Sequence, residues 1–465
     1  KFPNDLHLDQ DVINRLNSYL HLVVKGNDQI LITPIGVDHN PKFILEEWDK
    51  IFKKNKHKIN STLYDLEMSN RSKYGPRSIA KPWTQRIDDV LDYFEPKTSS
   101  LSKSIIHTES SLRPLSYDNA IKILKNDTNS GLPYFVRKSR IKSNLINDTI
   151  NSKINYPCIL FTRTQENNKT RTVWGFPAST TLKEMRYYRP LLNYQSNLNW
   201  RSALQGPDSV DLAISKLFTN KTEEDIFVSI DFSKFDASIS EKLIRCAFDY
   251  IQAKFQKSYH NEILEIRDNF LNIGLLTPSG IYTGSHGVPS GSTFTNEVDS
   301  LVQYIVAKSN VNVQENSFQI QGDDGVYLIN KSILAALIDG FERAGLNVNK
   351  DKSYTSPNYC VYLQRLYHED YKDANNFIGG IYPIYRALNR LIYQERFTNL
   401  EDKGLSGKDY FSIRSLSILE NCKHHPLFKE FVLFIKKLDK YSLEFSNKSI
   451  IKYEELVNNS PGVGG

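Results

Sequence analysis

Residues 317–329, Ser-Phe-Gln-Ile-Gln-Gly-Asp-Asp-Gly-Val-Tyr-Leu-Ile, constrain the fold more than any other stretch of the chain. Apolar residues alternate on the way in (Phe318, Ile320) and on the way out (Val326, Leu328), with Gly322-Asp323-Asp324-Gly325 between them. Period-two alternation around a Gly/Asp turn predicts a tight β-hairpin. A lone Asp-Gly is explained by turn formation. Two adjacent carboxylates at a hairpin tip either repel each other or hold a hard cation, and such oxygen ligands suit Mg²⁺ or Mn²⁺.

Two other segments complete the pattern. Ile226 to Ile230 is a short apolar run that reads as a buried strand, with Asp231 at its end and Asp236 five residues on. Ser238 with Glu241 has the form of a capping box. It opens a helix with Leu243, Ile244, Ala247, Phe248 and Ile251 on its apolar face. Taken alone, Asp231 is equally well explained as a turn carboxylate; if its strand pairs with the hairpin, it meets Asp323 across one or two metal ions. The third segment is the Gly/Pro/Ser-rich loop 284–293, which runs into a helical pattern. Thr295 and Asp299 share one face of that helix, while Asn296 is turned about 100° away by the 3.6-residue period.

Asp231-Phe-Ser-Lys-Phe-Asp236, Ser290-Gly-Ser-Thr-Phe-Thr-Asn296 and Gly322-Asp-Asp-Gly325, in this order and spacing, resemble the palm of viral RNA-dependent RNA polymerases. They are most similar to those of small double-stranded RNA viruses, picobirnaviruses first and partitiviruses second. The resemblance implies an α+β fold, a closed right hand whose antiparallel palm sheet is backed by helices. It implies two-metal nucleotidyl transfer from NTPs, with Asp231 and Asp323 bridging two Mg²⁺ ions (Mn²⁺ substituting) and Asp324 as a weaker ligand. Asp236 would accept the sugar 2′-OH, helped by Ser290 and Asn296. Many positive-strand enzymes carry Asn four residues after the motif Thr, where this chain has Asp299, so whether Asp299 or Asn296 reads the ribose stays open.

Composition is that of an ordinary soluble globular protein. The chain has 465 residues, 40% hydrophobic and 24% charged, enough for several layers around a large core. Lys plus Arg (59) exceeds Asp plus Glu (53), a mild basic excess that permits a polyanionic partner. Four cysteines without CxxC spacing argue against a zinc site or disulfide framework. No apolar run approaches transmembrane length, and the start shows no signal-peptide pattern.

The expected division is an extension over 1–105 that bridges fingers and thumb, fingers over 106–225, palm over 226–240, a fingers insertion over 241–285, palm over 286–370 and thumb plus tail over 371–465. Thr84 to Phe94 reads as a helix, and Lys331 to Ala344 as another, stopped by Gly345. The turn-rich loop with Ser130, Gly131 and Pro133, followed by basic residues through Lys142, resembles the family's template-guiding loop; a solvated basic loop explains it equally well. Arg163, Lys169 and Arg171 resemble the basic finger loop over the incoming nucleotide, Lys169 and Arg171 projecting to one side of an extended chain. Lys352, with Lys350 as rival, matches the family's general acid for pyrophosphate. Gly291, Gln364 and Arg365 match product-side positions, the last two in a palm–thumb hairpin. RNA template and NTPs are the implied partners, with viral capsid protein as a further one and the chain itself a monomer. The implied location is the virion interior and host cytoplasm. The rival readings are a reverse transcriptase or DNA polymerase, and a non-catalytic RNA-binding, capsid-associated protein. The Gly-rich tail is expected to reach the catalytic cavity: deleting 455–465 should alter initiation, and an unchanged initiation assay removes that idea.

Overall fold

A computed structural model describes residues 6–401, 404–444 and 450–452; the tail at 455–465 lies outside them. In chain order the main strands are β1 (Cys158–Thr164), β2 (Thr170–Gly175), β3 (Asp225–Ile230), β4 (Leu275–Thr277), β5 (Gly280–Tyr282), β6 (Phe318–Gln321), β7 (Asp324–Asn330), β8 (Tyr354–Ser356), β9 (Tyr359–Tyr362) and β10 (Arg365–His368). The helices that position the site are α1 (Gln10–Lys25), α2 (Pro41–Lys54), α3 (Ser61–Arg71), α4 (Ile87–Phe94), α5 (Glu241–Lys254), α6 (Thr295–Asn310), α7 (Leu334–Arg343), α8 (Ile384–Ile392), α9 (Gly407–Glu420) and α10 (Phe428–Leu438).

The central sheet runs β8-β3-β7-β6, every neighbouring pair antiparallel. The middle strands β3 and β7 carry near-continuous apolar runs (Ile226–Val228, Val326–Ile329) because both faces are covered. Val228, Ile230, Tyr327 and Ile329 pack on one side with α5 and α6. Phe227, Val326 and Leu328 pack on the other against Val210, Ile214, Leu217 and the β9–β10 hairpin. A strand alternates its side chains between faces, so a continuous apolar run means two layers rather than one. A second sheet, β2-β1-β4-β5, gathers the segments around 160–175 and 275–282 into one layer.

Residues before 105 pack on both sides of this frame. Val12, Leu16 and Leu20 of α1 meet Ile159 and Leu276 of the second sheet. Ile44, Trp48 and Phe52 of α2 share a core with α8, α9 and α10. Buried Glu67 of α3 accepts the Ile384 and Tyr385 amides at 2.6 and 3.0 Å, placing a carboxylate on the otherwise unpaired N–H groups that open α8.

Three local expectations are corrected. The cap of α5 is Ser240, which accepts from the Leu243 amide. Ser238 instead donates to the Phe235 carbonyl at 2.7 Å, because it closes a separate short helix over 235–238. The hairpin turn is Gly322-Asp323 alone: Asp324 pairs with Gln321 and begins β7. The helix expected from Thr84 begins at Ile87 after a 3₁₀ turn, and Leu91 faces solvent.

One buried ion pair ties the layers together. Glu297 of α6 and Arg201 are fully enclosed, with Arg201 Nη1 donating to Glu297 Oε2 at 2.8 Å. Removing one partner of such a pair strands the other charge, at about 3–5 kcal/mol. Glu297→Ala should therefore lower the melting temperature well below that of a surface Glu→Ala control such as Glu241→Ala.

Candidate active site

Strand register builds the acidic centre. Ile230 of β3 lies opposite Gly325 of β7, so Asp231, one step on, emerges beside Asp324 and the Gly322-Asp323 turn. Gly322 has φ +62°, a backbone conformation that glycine adopts without strain. The Asp231 carbonyl accepts the Asn349 amide at 2.8 Å, and its own amide donates to Ser353 Oγ at 3.1 Å. A short pairing of Phe232–Ser233 with Asn347–Val348 holds that segment in place.

Five carboxylates influence one another here. Burial raises the Asp231 pKa and Asp323 adds to it, while Lys352, Lys169 and an Asn349 hydrogen bond pull the other way. Asp323 is exposed at the turn yet ringed by protein; desolvation raises its pKa against the pull of Arg171 and Lys169. Asp324 is pushed up to about 8, by burial first and then by Asp323. Its Oδ2 accepts the Leu363 amide at 2.8 Å, so it faces the β9–β10 turn, where Leu363 and Gln364 both have positive φ. Asp236 is pushed up to about 6 by burial, and Asp299 is raised well above the usual carboxylate range, the two carboxyls hydrogen-bonded to each other. Asn296 lies against the hairpin turn instead, its Oδ1 2.8 Å from where a Cβ on Gly322 would stand.

The basic residues divide. Lys169 and Arg171 form no ion pair among the described residues and act electrostatically on Asp231, Asp236 and Asp323. Arg163, opposite Arg171 in the β1–β2 ladder, is drawn away to Glu395 at 3.2 Å. Lys352 exerts the strongest charge effect on Asp231, whereas Lys350 leans toward Glu342 at 3.8 Å. Lys73, which carries no sequence motif, joins this group: burial lowers its pKa, followed by the charges of Lys352 and Arg386.

The loop 284–293 is seated on β2. Ser290 Oγ donates to the Thr172 carbonyl at 2.9 Å, and a Cβ on Gly291 would stand 1.6 Å from the Trp174 carbonyl oxygen. Only glycine permits that approach. Thr295 Oγ1 donates to the Pro289 carbonyl at 3.0 Å. Ser292 and Thr293 are held by Glu184, a buried carboxylate that sequence reasoning passed over because a lone Glu within a helix carries no signal.

A cavity of about 1660 Å³ opens beside this centre, lined by Ser290–Thr293 and by Arg137, Lys138, Arg386, Arg390, Arg396 and Arg414. Ser130, Gly131 and Pro133 do not line it. Ser130 is buried under the loop, with its amide and carbonyl bonded to Val136 and Ala178. Gly131 lies close against the Phe176 carbonyl, and Pro133 faces a separate cavity of about 430 Å³. Their neighbours Thr128, Asn129 and Arg137 are the ones that face the large cavity. Gln364 is exposed at the β9–β10 turn, while Arg365 is engaged by Asn421 at 3.1 Å.

Residues 72–377 match the family of viral RNA-dependent RNA polymerases. The chain belongs to that family. It is 30% identical to a potential RNA-dependent RNA polymerase of human picobirnavirus, over 92% of this chain and 86% of that one. The crystal structure of a human picobirnavirus RNA-dependent RNA polymerase superposes with a TM-score of 0.83 at 27% identity, covering 98% of this chain and 97% of that one. The insertion-loop deletion mutant of such an enzyme gives 0.82 at 29% identity, covering 94% and 93%. The RNA-directed RNA polymerase of Cryptosporidium parvum virus 1 is 26% identical over 54% of this chain and 53% of its own length. The polymerase is thus a right hand with an antiparallel palm and carries out template-directed RNA synthesis from NTPs, and neither rival reading is favoured.

Divalent cations are general cofactors of this family, and the donor set fits them. Asp231 and Asp323 are hard oxygen donors, crowded and partly desolvated, and a bound cation reverses that crowding. Among the described residues no three His, Cys, Asp or Glu side chains form a ready-made cage.

Glu184 gives the site a measurable pH dependence. Burial pushes its pKa from 4.5 to about 7, so between those values the folded chain keeps a proton that the unfolded chain has released. Its contribution to stability is full below about pH 4.5 and falls as pH rises toward 7, by about 3 kcal/mol at most. Glu184→Gln can still pair with Ser292 and Thr293 through its amide. Its melting temperature relative to the native chain should rise between pH 5 and pH 8.

Proposed function

We propose that the polymerase joins nucleotides by two-metal chemistry, with Asp231 and Asp323 as the residues that would hold the ions and Asp324 as a lesser ligand. The observation that carries this reading is the meeting of Asp231 and Asp323 at the end of one sheet, opposite Lys169, Arg171 and Lys352. When bound, the two Mg²⁺ ions would lower the pKa of the attacking 3′-hydroxyl and neutralise charge on the leaving pyrophosphate.

The protein's own residues do the rest. Lys169 and Arg171 hold the triphosphate, Arg171 by a fork suited to phosphate oxygens. Lys352 is the proton donor to pyrophosphate; its place beside Asp231 supports it over Lys350, which leans toward Glu342. Asp236, with Asp299 hydrogen-bonded to it, receives the ribose 2′-OH, and a site built around that hydroxyl rejects sugars lacking it. Asn296, against the hairpin turn, is the second candidate reader. The arginine-lined cavity carries the template's phosphates, which need charge rather than sequence-specific contacts. Association with capsid protein, and residence in the virion and host cytoplasm, rest on the picobirnavirus likeness alone.

Asp323→Ala and Asp231→Ala should each lower single-nucleotide incorporation about 10³-fold or more, equivalent to several kcal/mol of transition-state stabilisation, in a Mg²⁺-dependent assay on an RNA template. Near-normal turnover in either variant removes the assignment.

A further inference from the structure

Both peptide bonds that flank Gly322 are held from outside the hairpin. A two-residue turn leaves its central backbone groups without ladder partners, and here two side chains of α6 take them. The Gly322 amide donates to Ser300 Oγ at 2.8 Å, and the Gly322 carbonyl accepts from Gln303 Nε2 at 3.1 Å. Ser300 and Gln303 stand three residues apart on one face of the helix, and both are fully buried. Each side chain is itself fixed. Ser300 gives its proton to the Asn296 carbonyl at 2.7 Å, which leaves a lone pair for the Gly322 amide. Gln303 Oε1 accepts from Tyr327 Oη at 2.8 Å, which leaves the amide nitrogen aimed at the turn. Gly325 makes the room: a Cβ there would stand 1.9 Å from Gln303 Oε1.

We propose that Ser300 and Gln303 are positioning residues for nucleotidyl transfer, locking Gly322 against α6 so that the Asp323 carboxylate keeps its place beside Asp231. The inference rests on the reading of those two carboxylates as the ion-holding pair. Strand pairing fixes Gln321 and Asp324, but it does not fix the peptide between Gly322 and Asp323. Glycine tolerates either sign of φ, so that peptide can turn over and carry Asp323 with it. The Gln303 bond to its carbonyl opposes the rotation, and the Ser300 bond holds the peptide before it. The same helix supplies Asp299 from the position next to Ser300, so the acidic turn and the sugar pocket share one rigid support. Lys169, Arg171 and Lys352 hold the triphosphate from other segments and are not touched.

The test compares Ser300→Ala and Gln303→Met with Ser309→Ala. Ser309 is a buried hydroxyl on the same helix that serves a different segment, accepting the Lys103 amide at 3.1 Å and donating to the Lys103 carbonyl at 2.8 Å. Single-turnover incorporation of one nucleotide gives each variant's maximum rate and half-saturating NTP concentration, beside thermal melts and Asp323→Ala. Ser300→Ala and Gln303→Met should each lower the maximum rate about ten- to a hundredfold, the scale of a misplacement of about 1 Å, with half-saturation held within about twofold. Ser309→Ala should keep the native rate even where its melting temperature falls as far. An equal rate loss in Ser309→Ala overturns the positioning role and leaves helix stability as the cause. A native rate in either turn variant, while Asp323→Ala collapses, also overturns it, as does a loss that falls on NTP half-saturation instead. Near-native turnover in Asp323→Ala shows instead that the acidic centre itself was misassigned.

Discussion

Strand pairing forces carboxylates together at the heart of this molecule. Antiparallel registry of β3 with β7 leaves Asp231 no choice but to emerge beside the Gly322-Asp323 turn. In a partly desolvated setting, like charges raise each other's pKa. The surroundings are organised around that repulsion. Asn349 hydrogen-bonds to Asp231, and Lys352, Lys169 and Arg171 supply opposing charge from two other segments. Asp324 is turned toward the Leu363 amide and so is partly withdrawn from the conflict. The same excess of negative charge that crowds the free protein is what a divalent cation relieves.

A ring of ion pairs keeps the walls around this centre in position. Arg77, from the segment before residue 105, reaches Glu166 at 3.6 Å and Glu395 at 3.8 Å; Arg163 meets Glu395, and Arg386 of α8 meets Glu166 at 3.5 Å. Most of these contacts are long, and such a pair taken singly contributes little. Linked as a network, they join the extension, the β1–β2 hairpin and the helices after 384 at a single point. This explains why Arg163, which belongs to the basic finger loop by sequence, is partly diverted from phosphate binding. Its charge serves the closure of the hand.

Much of the palm could be read before any coordinates. The alternation around Gly322-Asp323-Asp324-Gly325 marked a hairpin because backbone and side-chain periods are local properties of a strand. The continuous apolar run at 226–230 indicated burial for the same reason. The loop at 128–137 was less legible. Ser130 and Gly131 carry the motif, yet they form its foundation, and the face turned to the cavity belongs to Thr128, Asn129 and Arg137. Ser238 was mistaken for a cap because a short helix over 235–238 uses its hydroxyl first. Glu184 and Lys73 had no signal at all, since neither stands in a pattern and each gains meaning only from residues far away in the chain.

By itself, the order of residues determined the elements and their chemistry: which strands are buried, where the acidic turn falls, and which segments carry carboxylates or cations. Those follow from side-chain periodicity, turn preference and charge, all written within a few neighbouring residues. Tertiary structure alone decided which charges meet. It paired Asp236 with Asp299, gave Asp324 to Leu363 and Arg163 to Glu395, and brought Lys73 from the first hundred residues to the acidic centre. Electrostatic and hydrogen-bond energies depend on distance and burial, and neither quantity exists until the layers have packed.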